Sequence, residues 1–380
     1  MSGIFEALLQ PKFKKSFIRS DLEEITLVYK NQVLDELYKQ TAYVFKNWAF
    51  DPAYYSTGVD ILRAIEELKR DSNWQGKAED EIKALIQQVF SETGFHELLL
   101  FAGNVEEDDV REIEQIQSKI PLTPKLPYIP PLLDVFRKSF IEETGNPVFF
   151  YRSLANIPTG RSAVRLNVPT GVFLDPDAVA FTEIMAAMCA GQFFAALRTR
   201  EQLGYAVGSA QSILRTRMYM SFVVQTEKLN GTDTLGRIQN WVNTWIVQGL
   251  GENDQYIEID GDKDTATPFD QHFEQVKDGV VKAWESKHPS LEAKTDEQEF
   301  LLLWSRDNPE LRDQILEKLR AMTRDQFRDG IKQYFGSTKH WRAVVLDGVA
   351  GSEQRVVASR DGWSVVPDTR IDIPGPSSSD

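Results

Sequence analysis

A chain of 380 residues, 42% apolar and 26% charged, has ordinary globular composition and length enough for two domains, each with its own core. A net charge of -14 argues against a phosphate backbone as partner, so no nucleic acid is expected, and the single Cys189 excludes an internal disulfide and a cysteine-based zinc cage. One cysteine fits a reducing compartment and slightly favours the cytoplasm, no unbroken run of about 18 apolar residues marks a membrane span, and Met1-Ser2-Gly3-Ile4-Phe5 lacks the basic and apolar regions of a signal peptide.

Residues 1–120 read as mostly helical. Ser20 followed by Glu23 has capping-box spacing, with Ile25, Val28, Leu34, Leu37 and Phe45 roughly helix-spaced behind it. Pro52 is placed to open a second helix carrying Val59, Leu62, Ile65 and Leu68. A polar loop over 72–76 precedes a helix lined by Ile82, Leu85, Ile86 and Val89. Leu98–Asn104 reads as a short buried strand, ahead of a helix carrying Val110, Ile113, Ile116 and Ile120. That succession resembles the back half of an α+β domain whose opening strands are missing.

Pro121, Pro124, Pro127, Pro130 and Pro131 break regular structure and mark a linker with the domain boundary at or just after it. An extended crossover inside one domain is the other reading of the same prolines. The expected organisation is therefore 1–131 for the first domain and linker, 132–368 for a complete second domain, and 369–380 as a disordered tail ending in Pro374-Gly375-Pro376-Ser377-Ser378-Ser379-Asp380.

Beyond the linker, Val148–Arg152 and Val164–Val168 read as strands. Asp175-Pro176 then caps a long apolar helix through Ile184–Ala190. Thr199 with Gln202 fits another capping box, Gly204 supplies a stop that tolerates a left-handed backbone, and Tyr205–Ser209 and Met218–Gln225 read as strands. Arg198 and Tyr205 are thus held at a helix–turn–strand junction, a rigid place from which to aim polar groups. Leu235, Ile238, Trp241, Val242 and Trp245 form one helical face ended by Gly249, and residues 251–269 read as an acidic surface loop. Helices are expected near 270–286, 294–305, 309–321 and 324–335, the last capped by Thr323 with Gln326, and strands at Trp341–Leu346 and Arg355–Ser359.

Self-contained chemistry is hard to find. The four histidines, His96, His272, His288 and His340, are far apart, and His96-Glu97 continues into three leucines, so neither H-E-x-x-H nor H-x-x-E-H occurs. Asp260, Asp262 and Asp264 alternate like a calcium loop, but Thr265 and Gln271 occupy the places of its required glycine and glutamate. Gly231–Gly236 has P-loop spacing but is followed by Arg237-Ile238. Cys189 lies among Met and Ala as a small buried hydrophobe. On physical grounds alone, Arg198 suits a salt-bridged helix end and Tyr205 a half-buried strand position.

The nine residues Leu197-Arg198-Thr199-Arg200-Glu201-Gln202-Leu203-Gly204-Tyr205, with Phe193-Phe194 before them, closely resemble the noncatalytic C-terminal half of the pitrilysin/insulysin (insulinase-type, inverted zinc-motif) metalloendopeptidases. Leu99–Asn104 is similar to the strand that ends that family's third domain, and Val223-Val224-Gln225-Thr226-Glu227-Lys228 to the strand after the junction. The resemblance implies an α+β fold of two insulinase-type domains, antiparallel sheets packed with helices, the first lacking its opening strands. It implies that the zinc of the complete enzyme lies on a missing N-terminal half and that this chain binds none. Arg198 and Tyr205 match residues that reach substrate carbonyls, so the implied role is one wall of a peptide chamber that positions peptide or small-protein substrates. The implied partner is an N-terminal catalytic half or subunit. The alternative is an inactive insulinase-like subunit acting as a structural or peptide-binding partner. The chain then reads as a C-terminal piece of a longer protease or as a separate subunit, not catalytic alone.

Overall fold

The computed structural model describes residues 15–34, 36–49, 58–89, 106, 108, 110–111, 115, 148–153, 160–214, 216–260, 263–286, 308, 310–348 and 364–365. Their helices are α1 (Lys15–Leu34), α2 (Leu37–Ala49), α3 (Gly58–Lys69), α4 (Trp74–Val89), α5 (Pro176–Phe194), α6 (Gly231–Trp241), α7 (Phe269–Glu285), α8 (Leu311–Ala321) and α9 (Arg324–Phe335). Their strands are β1 (Val148–Ser153), β2 (Ser162–Val172), β3 (Ala206–Leu214), β4 (Arg217–Thr226), β5 (Gln255–Asp260), β6 (Lys263–Pro268), β7 (Arg342–Asp347) and β8 (Ser364–Val365). The chain divides into two compact units. One comprises Met1–Leu34, Ser56–Leu133 and His288–Asp307; the other comprises Asp35–Tyr55, Asp134–Lys287 and Asn308–Asp380. A helix from the first fifty residues, α2, therefore belongs to the same unit as the later strands.

In the first unit, α1 packs on α3 and α4, burying Ile18, Ile65 and Ala78. Ser20 lies inside α1 and does not cap it, because the helix begins five residues earlier at Lys15. The apolar spacing behind Ser20 is divided between α1, which ends at Leu34, and α2, which starts at Leu37. Helices α3 and α4 carry the apolar rows expected of them, α4 starting already at Trp74. The Pro52 start, the 98–104 strand, the proline linker, the 294–305 helix, the 355–359 strand and the tail lie outside the described residues.

The second unit is built on a six-stranded sheet of order β3-β4-β2-β7-β1-β8, antiparallel from β3 to β7, with β1 parallel to both β7 and β8. Period-two alternation sends Val164, Leu166 and Val168 of β2 and Met220, Phe222 and Val224 of β4 to one face. All six are fully buried there. Helix α5 covers that face, and Asp175 caps it by accepting from Asp177 N while Pro176 opens it. Phe193 of α5 lies 5.3 Å from Phe222 and 4.9 Å from Trp241 of α6, and Trp241 stacks on Trp245 at 4.8 Å. Helix α9 closes the layer through Phe327, 5.4 Å from Phe181 of α5, and its Thr323/Gln326 capping box forms as the sequence predicts. Helix α8 packs along α5, burying Leu311, Ile315 and Leu319.

The segment Pro176–Arg200 has, by length and mean hydropathy, the character of a membrane-crossing helix, a property that a search for unbroken apolar runs misses. Most of it is buried against the sheet and its neighbouring helices. The Trp241 helix does not stop at Gly249. Its last part widens to a π-helical stretch, Val242–Leu250, which keeps Val242, Trp245, Ile246 and Leu250 buried. Residues 251–269 hold more than a loop: β5 and β6 form a hairpin pairing Tyr256 with Thr267 and Asp260 with Lys263.

The opposite face of the large sheet is polar. It presents Arg165 and Asn167 of β2, Tyr219, Ser221 and Val223 of β4, and Arg342 and Val344 of β7. Helix α2 lies on this face: Phe45 meets Tyr219 edge-on at 5.3 Å, and Arg165 Nε donates to Thr41 Oγ1 at 3.2 Å.

Candidate functional site

The junction after α5 is shaped by two backbone devices. Ala195–Arg200 continues α5 as a π-helical turn, so Leu203 N reaches back to Leu197 O at 2.9 Å and no capping box forms at Thr199. The left-handed residue is Gln202, with φ 51°, and not Gly204. Glycine is required at 204 for a different reason. A Cβ there would lie 1.8 Å from Gln225 O, so the turn presses its backbone directly onto the end of β4.

Side chains then pin this turn on several sides. Thr226 Oγ1 donates to Leu203 O at 2.5 Å. Arg237 of α6 grips Glu201 in bidentate fashion, with Nε to Oε2 at 2.7 Å, and Arg200 pairs with Asp264 of β6 at 2.5 Å. Arg198 is half-buried, and its Nη1 donates to Gly204 O at 2.7 Å, next to Tyr205 in the chain. The geometry brings Arg198 and Tyr205 together through that carbonyl: the guanidinium holds the turn that carries the phenol.

Tyr205 stands just before β3 and is 53% exposed, unusual for a large aromatic side chain. Its phenol lies beside Glu36, immediately before α2, close enough for each group to shift the other's titration. Gln225 completes the arrangement: its Oε1 accepts from Tyr38 N at 2.9 Å and its Nε2 donates to Glu36 Oε2 at 2.9 Å. Arg161 lies 3.6 Å from Glu36 Oε2 and 2.8 Å from Glu227 Oε1. Donation from Gln225, then from Tyr205, holds the Glu36 carboxyl below the ordinary carboxylate range, with Arg161 and Lys39 adding to the effect. Loss of water, followed by the nearby Glu36 charge, pushes the Tyr205 phenol up. The phenol is therefore neutral and able to donate a hydrogen bond at neutral pH.

Beside Tyr205, a cavity of about 400 Å³ opens on the polar face of the sheet. Tyr38 and Arg165 line it together with the small residues Gly208, Ala210 and Ser212 of β3. Sequence reasoning named Arg198 and Tyr205 but not Glu36, Tyr38, Arg161 or Arg165. Gln225 stood only inside a quoted strand. No local signal links Glu36 to a tyrosine so distant in sequence; packing of α2 on the sheet alone brings them together.

Among the described residues, no group of three His, Cys, Asp or Glu side chains could hold a metal ion. His272 stacks on Tyr256 at 3.5 Å between ring centres, while His96 and His288 lie outside the described residues. Cys189 is fully buried, and burial pushes its thiol far up. The start of α6, with its P-loop-like glycine spacing, is occupied by the protein itself: Gly231 N donates to Asp347 Oδ2 at 3.0 Å.

The solved structure of pitrilysin superposes with a TM-score of 0.67 over 97% of this chain at 16% identity. The chain has the pitrilysin/insulysin fold. A "peptidase M16 inactive domain" from Pseudomonas fluorescens superposes on the same pitrilysin-type fold with a TM-score of 0.56 at 12% identity, covering 88% of this chain and 71% of that one. A protease from Helicobacter pylori gives 0.61 at 14% identity, covering 88% and 73%. Residues 184–256, which include the whole junction, match the family model "PQQ synthase PqqF-like, C-terminal lobe domain 4". In sequence, the chain is 23% identical over 299 residues to "Putative zinc protease mug138" of Schizosaccharomyces pombe. It spans 27% of that relative's length and 35% of pitrilysin's. The resemblance read from Leu197–Tyr205 and the α+β assignment both stand, and the likeness includes a C-terminal lobe domain and an inactive domain.

Proposed function

We propose that this chain is the noncatalytic half of a zinc metalloendopeptidase, forming one wall of a peptide chamber and positioning substrate for cleavage on a complementary N-terminal half. The observation that carries this reading is the exposed Tyr205 phenol, beside Glu36 on a turn clamped by Arg198, Glu201 and Thr226, lining a groove. The neutral phenol has one proton to donate, and turning it from Glu36 to a scissile carbonyl oxygen stabilises the charge that develops there. Arg198 keeps the turn in register and, with its remaining donors, contributes to the same carbonyl contacts. The zinc that supplies the hydrolytic chemistry belongs to the complementary half. The chain alone is expected to carry no stoichiometric zinc and to cleave nothing; one tightly held zinc per chain would overturn that.

The test combines the chain with a catalytic half from the same source and follows cleavage of a quenched peptide. Tyr205→Phe is expected to lower turnover by about one to three orders of magnitude, the range for losing one oxyanion donor. A second reading, an inactive subunit that binds peptide or serves architecture, is favoured by one observation: the Glu36 carboxylate stands beside the Tyr205 hydroxyl and competes for its proton. On that reading Tyr205→Phe leaves turnover of the mixture unchanged and lowers only the thermal midpoint of the chain.

A further inference from the structure

Arg165 sits in the middle of β2 with its Cα opposite Val223 of β4, which is itself opposite Gly208 of edge strand β3. The next row along the same face is Asn167, Ser221 and Ala210. The cavity of about 400 Å³ lies over these rows, and among the described residues Arg165 is the only charged side chain lining it. Its Nε is fixed by Thr41 Oγ1 at 3.2 Å, and that hydroxyl in turn donates to Tyr38 O at 2.6 Å. Among the described residues no carboxylate pairs with this guanidinium. Burial lowers it to about 10, so it is still charged at neutral pH.

Two neighbours strengthen the same bias. Arg342, opposite Asn167 on β7 and on the same face, is buried and donates only to Trp341 O among the described residues. Asn167 Nδ2 is a buried donor with no partner among them. Buried guanidinium groups are ordinarily matched to carboxylates, and the planar fork suits a two-oxygen anion. The shape of the groove specifies the carrier. Gly208, Ala210 and Ser212 carry little or no side chain above β3, which leaves room for an extended chain to lie over that strand on the polar face, with a carboxylate reaching across β4 to Arg165.

We propose that this groove is a carboxylate subsite, in which Arg165 receives the carboxylate of an extended peptide lying along β3. The inference rests on the peptide-positioning role proposed above. The carboxylate comes either from an acidic side chain or from the peptide's own C-terminus, and the experiment separates the two.

Three N-acetylated hexapeptides of Ala, Val and Ser are titrated calorimetrically into the full chain. One is a C-terminal amide without acidic residues, the second the same amide with one Glu, and the third the neutral sequence with a free C-terminal carboxylate. The peptide with the matching carboxylate is expected to bind about ten- to a hundredfold more tightly than the neutral amide, the range for one charge-assisted hydrogen-bonded pair. Preference for the Glu peptide identifies a side-chain site, and preference for the free terminus identifies a C-terminal site. Arg165→Gln should bring both carboxylate peptides down to the affinity of the neutral amide and leave that amide unchanged. Val223→Glu, which keeps Arg165 but supplies an internal carboxylate across the strand, should abolish the preference as well. Equal binding of all three peptides, or a preference that survives either substitution, overturns the subsite and leaves peptide positioning standing. Failure of every peptide to bind overturns both.

Discussion

The two faces of the large sheet are made by alternate residues of the same strands, yet they are opposite in character. One carries Val164, Leu166, Phe222 and Val224 under α5 and α6, with Phe193 and Trp241 interlocked at 4.9 Å. The other carries Arg165, Asn167 and Ser221, bridged by hydrogen bonds such as Ser221 Oγ to Asn167 Oδ1 at 2.7 Å, and only partly covered by α2. The apolar face has its contacts satisfied internally and supplies cohesion. The polar face keeps a cavity, a guanidinium with no carboxylate partner among the described residues, and the exposed Tyr205. Apolar and polar surfaces are thus separated by the pleat, one residue apart along β2.

The sharpest way to break that contrast is to cut the apolar side. Phe193→Ala should cost about 3–5 kcal/mol, because the ring is fully buried between Phe222 and Trp241 and its loss leaves a cavity. The urea midpoint measures this, and a loss below about 1 kcal/mol would contradict the assignment of the core to this face. Gly204→Ala follows at about 2–3 kcal/mol, since the new Cβ meets the Gln225 carbonyl and not a flexible side-chain end. It should also depress turnover of the reconstituted enzyme by displacing Tyr205, and a fully active, stable variant would show that the turn does not press on β4. Thr323→Ala, removing the reciprocal cap of α9 beneath the apolar layer, should cost about 1 kcal/mol by the same denaturation measurement.

On the polar face the expectation reverses. Arg165→Met should leave the urea midpoint unchanged or higher, because a largely desolvated charge without a described carboxylate partner is replaced by an apolar side chain of similar length. A marked loss would mean that the guanidinium holds the fold together. The smallest effect belongs to Glu36. Its folded-state carboxyl titrates below its ordinary range, so the unfolded chain binds more protons in that window. The associated stability is present above the ordinary carboxylate range and is lost as pH falls through the folded value. Glu36→Gln should therefore lower the midpoint slightly at neutral pH, and the difference from the unsubstituted chain should vanish in acid. Because Glu36 is partly open to solvent, a large difference would be unexpected.

Local patterns were readable wherever one element's own residues set them. Asp175-Pro176 starts α5 and Thr323 with Gln326 starts α9, because each motif satisfies backbone donors within a few residues. The strands around Val164–Val168 and Met218–Gln225 follow from β-branched and aromatic runs. Where tertiary packing competed, the sequence misled. Ser20 and Thr199 carry capping signatures but lie within continuing helices. The left-handed backbone falls on Gln202 while the nearby glycine is reserved for close approach, and an acidic stretch that reads as loop pairs into the β5–β6 hairpin.

The sequence by itself determined the fold class and singled out Arg198 and Tyr205, because helix and strand periodicity and a nine-residue segment are local properties of the chain. Tertiary structure alone decided what surrounds them. Glu36 reaches Tyr205 and Thr41 fixes Arg165 only because α2 docks on the polar face of a sheet whose strands come far later in the chain. Spacing within one element follows from backbone geometry, whereas contacts between distant elements depend on how their apolar faces are buried together.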